Sequence, residues 1–149
     1  MTTVYVELDI NRPAAEVFAV ASDIEHFKER APAIEHLEIV SDIRSGLGTR
    51  WRETRKVFGK SSTATMEIIE WRAPYEYIVG AKNGGCEYRT LIRVIATLTG
   101  SRLEAKFSAK AHTFFTRVLS AIRRPIMRKA VTRMLMDDLV AIKAYCETN

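Results

Sequence analysis

The chain has little of what marks most catalytic or stapled proteins: two cysteines, three histidines, four prolines and seven glycines in 149 residues. Cys86 and Cys146 stand far apart, with no C-x-x-C or Cys/His spacing. A disulfide framework and a zinc module are therefore not expected, and both thiols read as free. His26, His36 and His112 have no neighbour at ligand spacing, so no metal and no other cofactor is expected. No G-x-S-x-G elbow or phosphate-binding glycine loop is present, and Asn83-Gly84-Gly85 is turn chemistry. No apolar run approaches the roughly 18 residues of a membrane span. The opening MTTVYVELDI has neither a basic n-region nor an apolar h-region, which points to a cytoplasmic protein.

What is present is an ordinary globular composition, 47% hydrophobic and 28% charged, read as one domain over residues 1–149. The net charge is +5, and it is unevenly spread. Between Phe114 and Met136 lie Arg117, Arg123, Arg124, Arg128, Lys129 and Arg133, with no acidic residue among them. Such a run either is a solvated helix face or favours an anionic partner. Nucleic acid is not expected, because no known module is present and Phe114 and Phe115 are the only aromatics beside the run. Those two phenylalanines followed by arginines read as an amphipathic segment for an anionic membrane surface, or as a helix start packed on a sheet edge.

Periodicity orders the elements. Thr2 to Ile10 alternates, with Val4, Val6, Leu8 and Ile10 on one face, the period of a half-buried strand. Asn11 or Arg12 is placed to cap a short helix over Ala14 to Ser22, with Pro13 in its first turn. Asp23 is placed to cap a second, Ile24 to Arg30, ended by Pro32. Strands follow at His36–Ile43, Thr49–Phe58, Ser61–Trp71, Tyr75–Ala81, Cys86–Leu98 and Arg102–Ala111, with short turns that favour antiparallel neighbours. Leu103, Ala105 and Phe107 share a face with Ala109, as Tyr88, Ile92 and Val94 do on the preceding strand. From about Thr113 the period becomes helical, with a stripe of Val118, Leu119, Ile122, Ile126, Ala130, Met134 and Leu135 continuing through Leu139, Ile142 and Cys146. Pro125 is expected to break or kink that helix, leaving a longer piece from about Ile126. A curved sheet wrapped on one long helix leaves space that side chains fill or that stays open as a pocket.

This layout resembles the START-like helix-grip (SRPBCC) superfamily, and within it the polyketide cyclase/dehydrase and lipid-transport group. The carriers are the opening strand with Asn11-Arg12-Pro13-Ala14-Ala15-Glu16-Val17-Phe18, Asp23-Ile24-Glu25-His26-Phe27, Gly48-Thr49-Arg50-Trp51-Arg52-Glu53-Thr54-Arg55, Ala73-Pro74 and Asp138-Leu139-Val140-Ala141-Ile142-Lys143. The resemblance implies an α+β fold in which a seven-stranded curved antiparallel sheet grips the C-terminal helix around a deep cavity. It also implies that the two short helices and nearby strand loops form the mouth. Family members bind lipids, polyketides or other apolar molecules, and some are cyclases or aromatases.

Trp51, Glu53 and Arg55 share one parity of their strand, opposite Arg50, Arg52, Thr54 and Lys56, which read as the solvent face. The first three then point at the cavity, where a carboxylate must be paired or protonated. Glu53 with Arg55 reads as a polar anchor for a ligand, or as a structural ion pair; Glu53 is the candidate acid if the protein is an enzyme. Tyr77 and Tyr88 offer hydroxyls to a ligand or pack in the core. Met66, Ile92, Phe107, Met134 and Leu135 are wall residues or core filling, and Phe27 lies near the expected mouth as a candidate gate. The reading that follows is carriage of an apolar small molecule. Its rivals are a polyketide cyclase using the same cavity, and an interaction module acting through the basic helix.

Overall fold

The computed structural model describes the backbone of residues 2–57, 59–83, 85–111 and 114–148, with side chains except at 2, 57, 83 and 111–124. The strands are β1 Thr2–Ile10, β2 Ile34–Ile39, β3 Arg50–Val57, β4 Lys60–Arg72, β5 Glu76–Asn83, β6 Cys86–Ala96 and β7 Ser101–Ala111. Helix α1 spans Ala14–Ala21, α2 spans Phe27–Arg30 and α3 spans Phe114–Thr148. The strands form one antiparallel sheet in the order β1-β7-β6-β5-β4-β3-β2. Every sequential pair from β2 to β7 is a neighbour, and β1 closes on β7 from Thr2↔Ala109 to Ile10↔Ser101. Register shifts at Ile34/His36 and Ile68/Glu70 insert bulges, which bend the strands and add to the curvature. The sheet wraps α3 in the helix-grip arrangement implied by the resemblance.

The parity read from the sequence holds where it matters. Val4, Val6 and Ile10 of β1 are buried, as are Leu103 and Ala105 of β7 and Val94 of β6. They meet Leu135, Leu139, Ile142 and Cys146 of α3 and Val17, Phe18 and Ala21 of α1 in one core. The end of α3 is fastened to the end of β1. Lys143 Nζ donates to the Asp9 carbonyl at 2.8 Å, the Asn11 amide donates to Glu147 Oε2 at 2.8 Å, and an Arg12 guanidinium N–H donates to the Glu147 carbonyl at 3.0 Å. A cation on the last carbonyls of a helix satisfies orphan acceptors and complements the helix dipole. The Asn11 amide first, and then Lys143, hold the Glu147 carboxyl below its ordinary range.

Five local expectations are corrected. Pro125 does not divide the last helix: α3 is continuous through it. The helix is exposed from Pro125 to Lys129. The apolar stripe is buried from Leu135 onward, but Ile126 stays 62% exposed. The first inner strand runs Ile34–Ile39 rather than His36–Ile43, because the Val40 and Ser41 amides both turn onto the Arg50 carbonyl. Neither short helix uses the expected cap. Pro13 itself occupies the cap position of α1, and the second segment is a 3-10 turn, Ile24–His26, followed by α2. Asp23 makes no cap hydrogen bond; its carboxylate instead takes His26 and Arg30. The β6 face also ends early, since Leu98 is fully exposed beyond the strand. The side chains of Phe114, Phe115, Arg117, Val118, Leu119, Ile122, Arg123 and Arg124, and residue His112, lie outside the described residues.

Candidate functional site

Between the concave face of the sheet and α3 lies a cavity of about 240 Å³. Its floor is strand parity made visible: Trp51, Glu53 and Arg55 from β3, Ala64 and Met66 from β4, Tyr77 and Val79 from β5, Thr90 and Ile92 from β6. Its roof is one stripe of α3, from Met134 and Leu135 through Asp138, Leu139 and Ile142. Ala21, Ile24 and Phe27 of the short helical segments close one side.

Two polar devices hold this apolar shell. The first is a chain of charge-assisted bonds across the cavity. Trp51 Nε1 donates to Glu53 Oε1 at 2.9 Å, and Arg55 Nε donates to Glu53 Oε2. The same guanidinium donates from both terminal nitrogens to Asp138, at 2.9 and 3.0 Å, a fork joining the sheet to α3. Burial is the largest influence on Asp138 and raises its carboxyl above the ordinary range, and Arg55 opposes that rise. Burial works against the Arg55 charge, but the two carboxylates outweigh it and hold the guanidinium more firmly protonated. The second device is Tyr77. Its hydroxyl donates at 2.7 Å to the carbonyl of Ala21, the last residue of α1. That bond ties the helix end to β5, and complete burial raises the phenol.

Aromatic edges brace the same side. The Phe18 ring meets Trp71 edge-on at 5.3 Å and Tyr77 at 6.0 Å. The segment that carries Phe27 is held by Arg30, which donates to Asp23 Oδ2 and to the Val20 carbonyl and lies 4.0 Å over the Tyr145 ring of α3.

Nine of the residues singled out from the sequence converge on this space: Phe27, Trp51, Glu53, Arg55, Met66, Tyr77, Ile92, Met134 and Leu135. Tyr88 and Phe107 are not among the described lining residues. They stack on each other, centroids 5.8 Å apart, as diagonal neighbours on β6 and β7. Burial first, and then the Cys86 thiol, raise the Tyr88 phenol. Asp138 is a site residue that the sequence reading misses. Its signal is present: Leu135, Asp138, Leu139 and Ile142 follow the i, i+3, i+4, i+7 pattern, so a carboxylate stands in an apolar stripe. Among the described residues no group of His, Cys, Asp and Glu could hold a metal ion, and no helix is long and apolar enough to cross a membrane.

Solved structures share this architecture. A Thermus thermophilus protein, TTHA0849, is 20% identical with a TM-score of 0.83, over 99% of this chain and 98% of its own. The di-domain aromatase/cyclase StfQ of the steffimycin biosynthetic pathway is 13% identical with a TM-score of 0.82, over 98% of this chain and 51% of its own. Norcoclaurine synthase from Thalictrum flavum is 21% identical with a TM-score of 0.77, over 95% of this chain and 91% of its own. At these identities the likeness concerns the fold. No curated protein matches the chain. The model of the polyketide cyclase/dehydrase and lipid transport family matches residues 1–147, and the chain belongs to that family.

Proposed function

We propose that the protein binds and carries a small, largely apolar molecule in the cavity between the sheet and α3. The observation that carries this reading is a space of about 240 Å³ walled mainly by Ile, Leu, Met, Val and Ala side chains, with its charged groups gathered at Glu53, Arg55 and Asp138. Burial of ligand surface supplies the driving force, at roughly 25 cal/mol per Å² of apolar area. Two free thiols support a reducing, cytoplasmic setting. Calorimetric titration with 1-octanol tests the reading: saturable 1:1 binding with a negative heat-capacity change is expected. No heat at any temperature, with no competition against a fluorescent apolar probe, would count against it.

For the cyclase reading, the Tyr77 hydroxyl is not free to move a proton, because it is spent on the Ala21 carbonyl. Glu53 remains, held by two donors. A contribution of the basic helix to partner choice is favoured by a different observation. Pro125, Ile126, Met127, Arg128 and Lys129 are all exposed, more than a full helical turn with no packed face. Apolar and cationic side chains presented together suit an anionic membrane surface. Flotation with phosphatidylserine vesicles at low salt, lost at high salt and weakened in Arg128→Glu/Lys129→Glu, is the expected result. Flotation unchanged by the double reversal would remove this second reading.

A further inference from the structure

When both of its carboxylates are ionised, the cavity carries an unbalanced charge. Of its described lining residues, Glu53, Arg55 and Asp138 are ionisable at neutral pH, two carboxylates against one guanidinium. Arg55 spends three N–H groups on them, one to Glu53 and two to Asp138. Glu53 is the deeper carboxylate, its side chain 6% exposed and both oxygens engaged. Asp138 is the most accessible of the three, its side chain 18% exposed and facing the space it lines. Each of its oxygens takes one bond from Arg55 and keeps a further lone pair.

A single net negative charge in an apolar enclosure is costly unless a proton or a cation joins it. We infer that the ligand brings the missing charge: an apolar body ending in a protonated amine, its ammonium donating to Asp138. The inference rests on the ligand-cavity reading above and narrows it to one class. A carboxylate-ended ligand would place a third negative charge beside Glu53 and Asp138. A neutral alcohol would satisfy a lone pair without cancelling the charge.

The test compares three chains of matched length, octylamine, 1-octanol and octanoate, titrated calorimetrically into the intact protein at pH 7, where an alkylamine is protonated as lysine is. Octylamine is expected to bind on the order of tenfold tighter than octanol, the difference between a charge-assisted and a neutral hydrogen bond. Octanoate is expected to be the weakest. In Asp138→Asn the amine's advantage over the alcohol should fall to about onefold, while octanol itself still binds. Should that variant fail to fold, Glu53→Gln, which removes the other negative charge, is expected to shrink the advantage as well. Octanol binding as tightly as octylamine in the unmodified protein overturns the inference and leaves the carrier reading standing, as does an unchanged preference in folded Asp138→Asn. Failure of all three to bind removes both.

Discussion

Arg55→Leu is expected to lose about 3–5 kcal/mol of folding stability, the range for stripping one partner from a buried charge pair. The side chain of Arg55 is 12% exposed and is the common donor for two carboxylates. Leucine matches the apolar walls and preserves part of the volume, so the loss reports charge rather than a void. Asp138→Asn provides the contrast. It leaves the Arg55–Glu53 pair in place and cancels the net charge, and it should cost under about 2 kcal/mol, the scale of a single hydrogen bond. Urea denaturation of both variants at pH 7 measures the difference.

The pH dependence has a definite sign. Burial already raises the Asp138 carboxyl above its ordinary value, and Arg55 is what opposes the rise. Without the guanidinium, the folded-state carboxyl moves further up. A group raised on folding contributes stability that is complete below its unfolded value, about 3.9 for aspartate, and lost as pH climbs through its folded value. The deficit of Arg55→Leu relative to the unmodified protein should therefore be small near pH 4 and grow as pH rises towards 7. A deficit that stays flat across that range would mean that packing, not charge, is what the arginine supplies.

The second large effect concerns binding. Ala64→Trp should abolish octanol binding, a loss of at least a hundredfold, while leaving the fold intact. Ala64 lies opposite Glu53 in the β3–β4 ladder and lines the cavity without being fully buried. An indole placed there enters the space the ligand would occupy, so it meets little of the overpacking cost that a close-packed site imposes, typically about 1–3 kcal/mol. Unaltered octanol affinity in a folded Ala64→Trp protein would put the ligand elsewhere.

Much of this site is legible in the sequence because strand parity is a strong constraint. A shift of one residue would turn Trp51, Glu53 and Arg55 outward and Arg50, Arg52 and Lys56 inward, burying three like charges in place of an ion pair. The buried faces of β1 and β7 follow from the same alternation, and the order of turns gives the antiparallel neighbours. Asp138 is harder to see. A carboxylate in a helical stripe looks like a break in the pattern until its partner is known, and that partner is 83 residues away in sequence. Pro125 misleads for the opposite reason: a local rule about helices overstates its cost where the helix is exposed. Asp23 looks like a cap by residue type, but Arg30 and His26 compete for its carboxylate and win. Tyr88 and Phe107 have the right parity, yet their rings meet each other, a pairing that alternation alone does not reveal.

The central claim is that the space between sheet and helix is a binding chamber. Methyl-resolved NMR of the protein titrated with 1-octanol tests it most directly. Shifts concentrated on Ile24, Leu37, Met66, Ile92, Met134 and Leu135, saturating together, are the result expected of a filled cavity. Silent methyls at those positions, or shifts confined to exposed residues such as Ile95, Leu98 and Ile126, would contradict it.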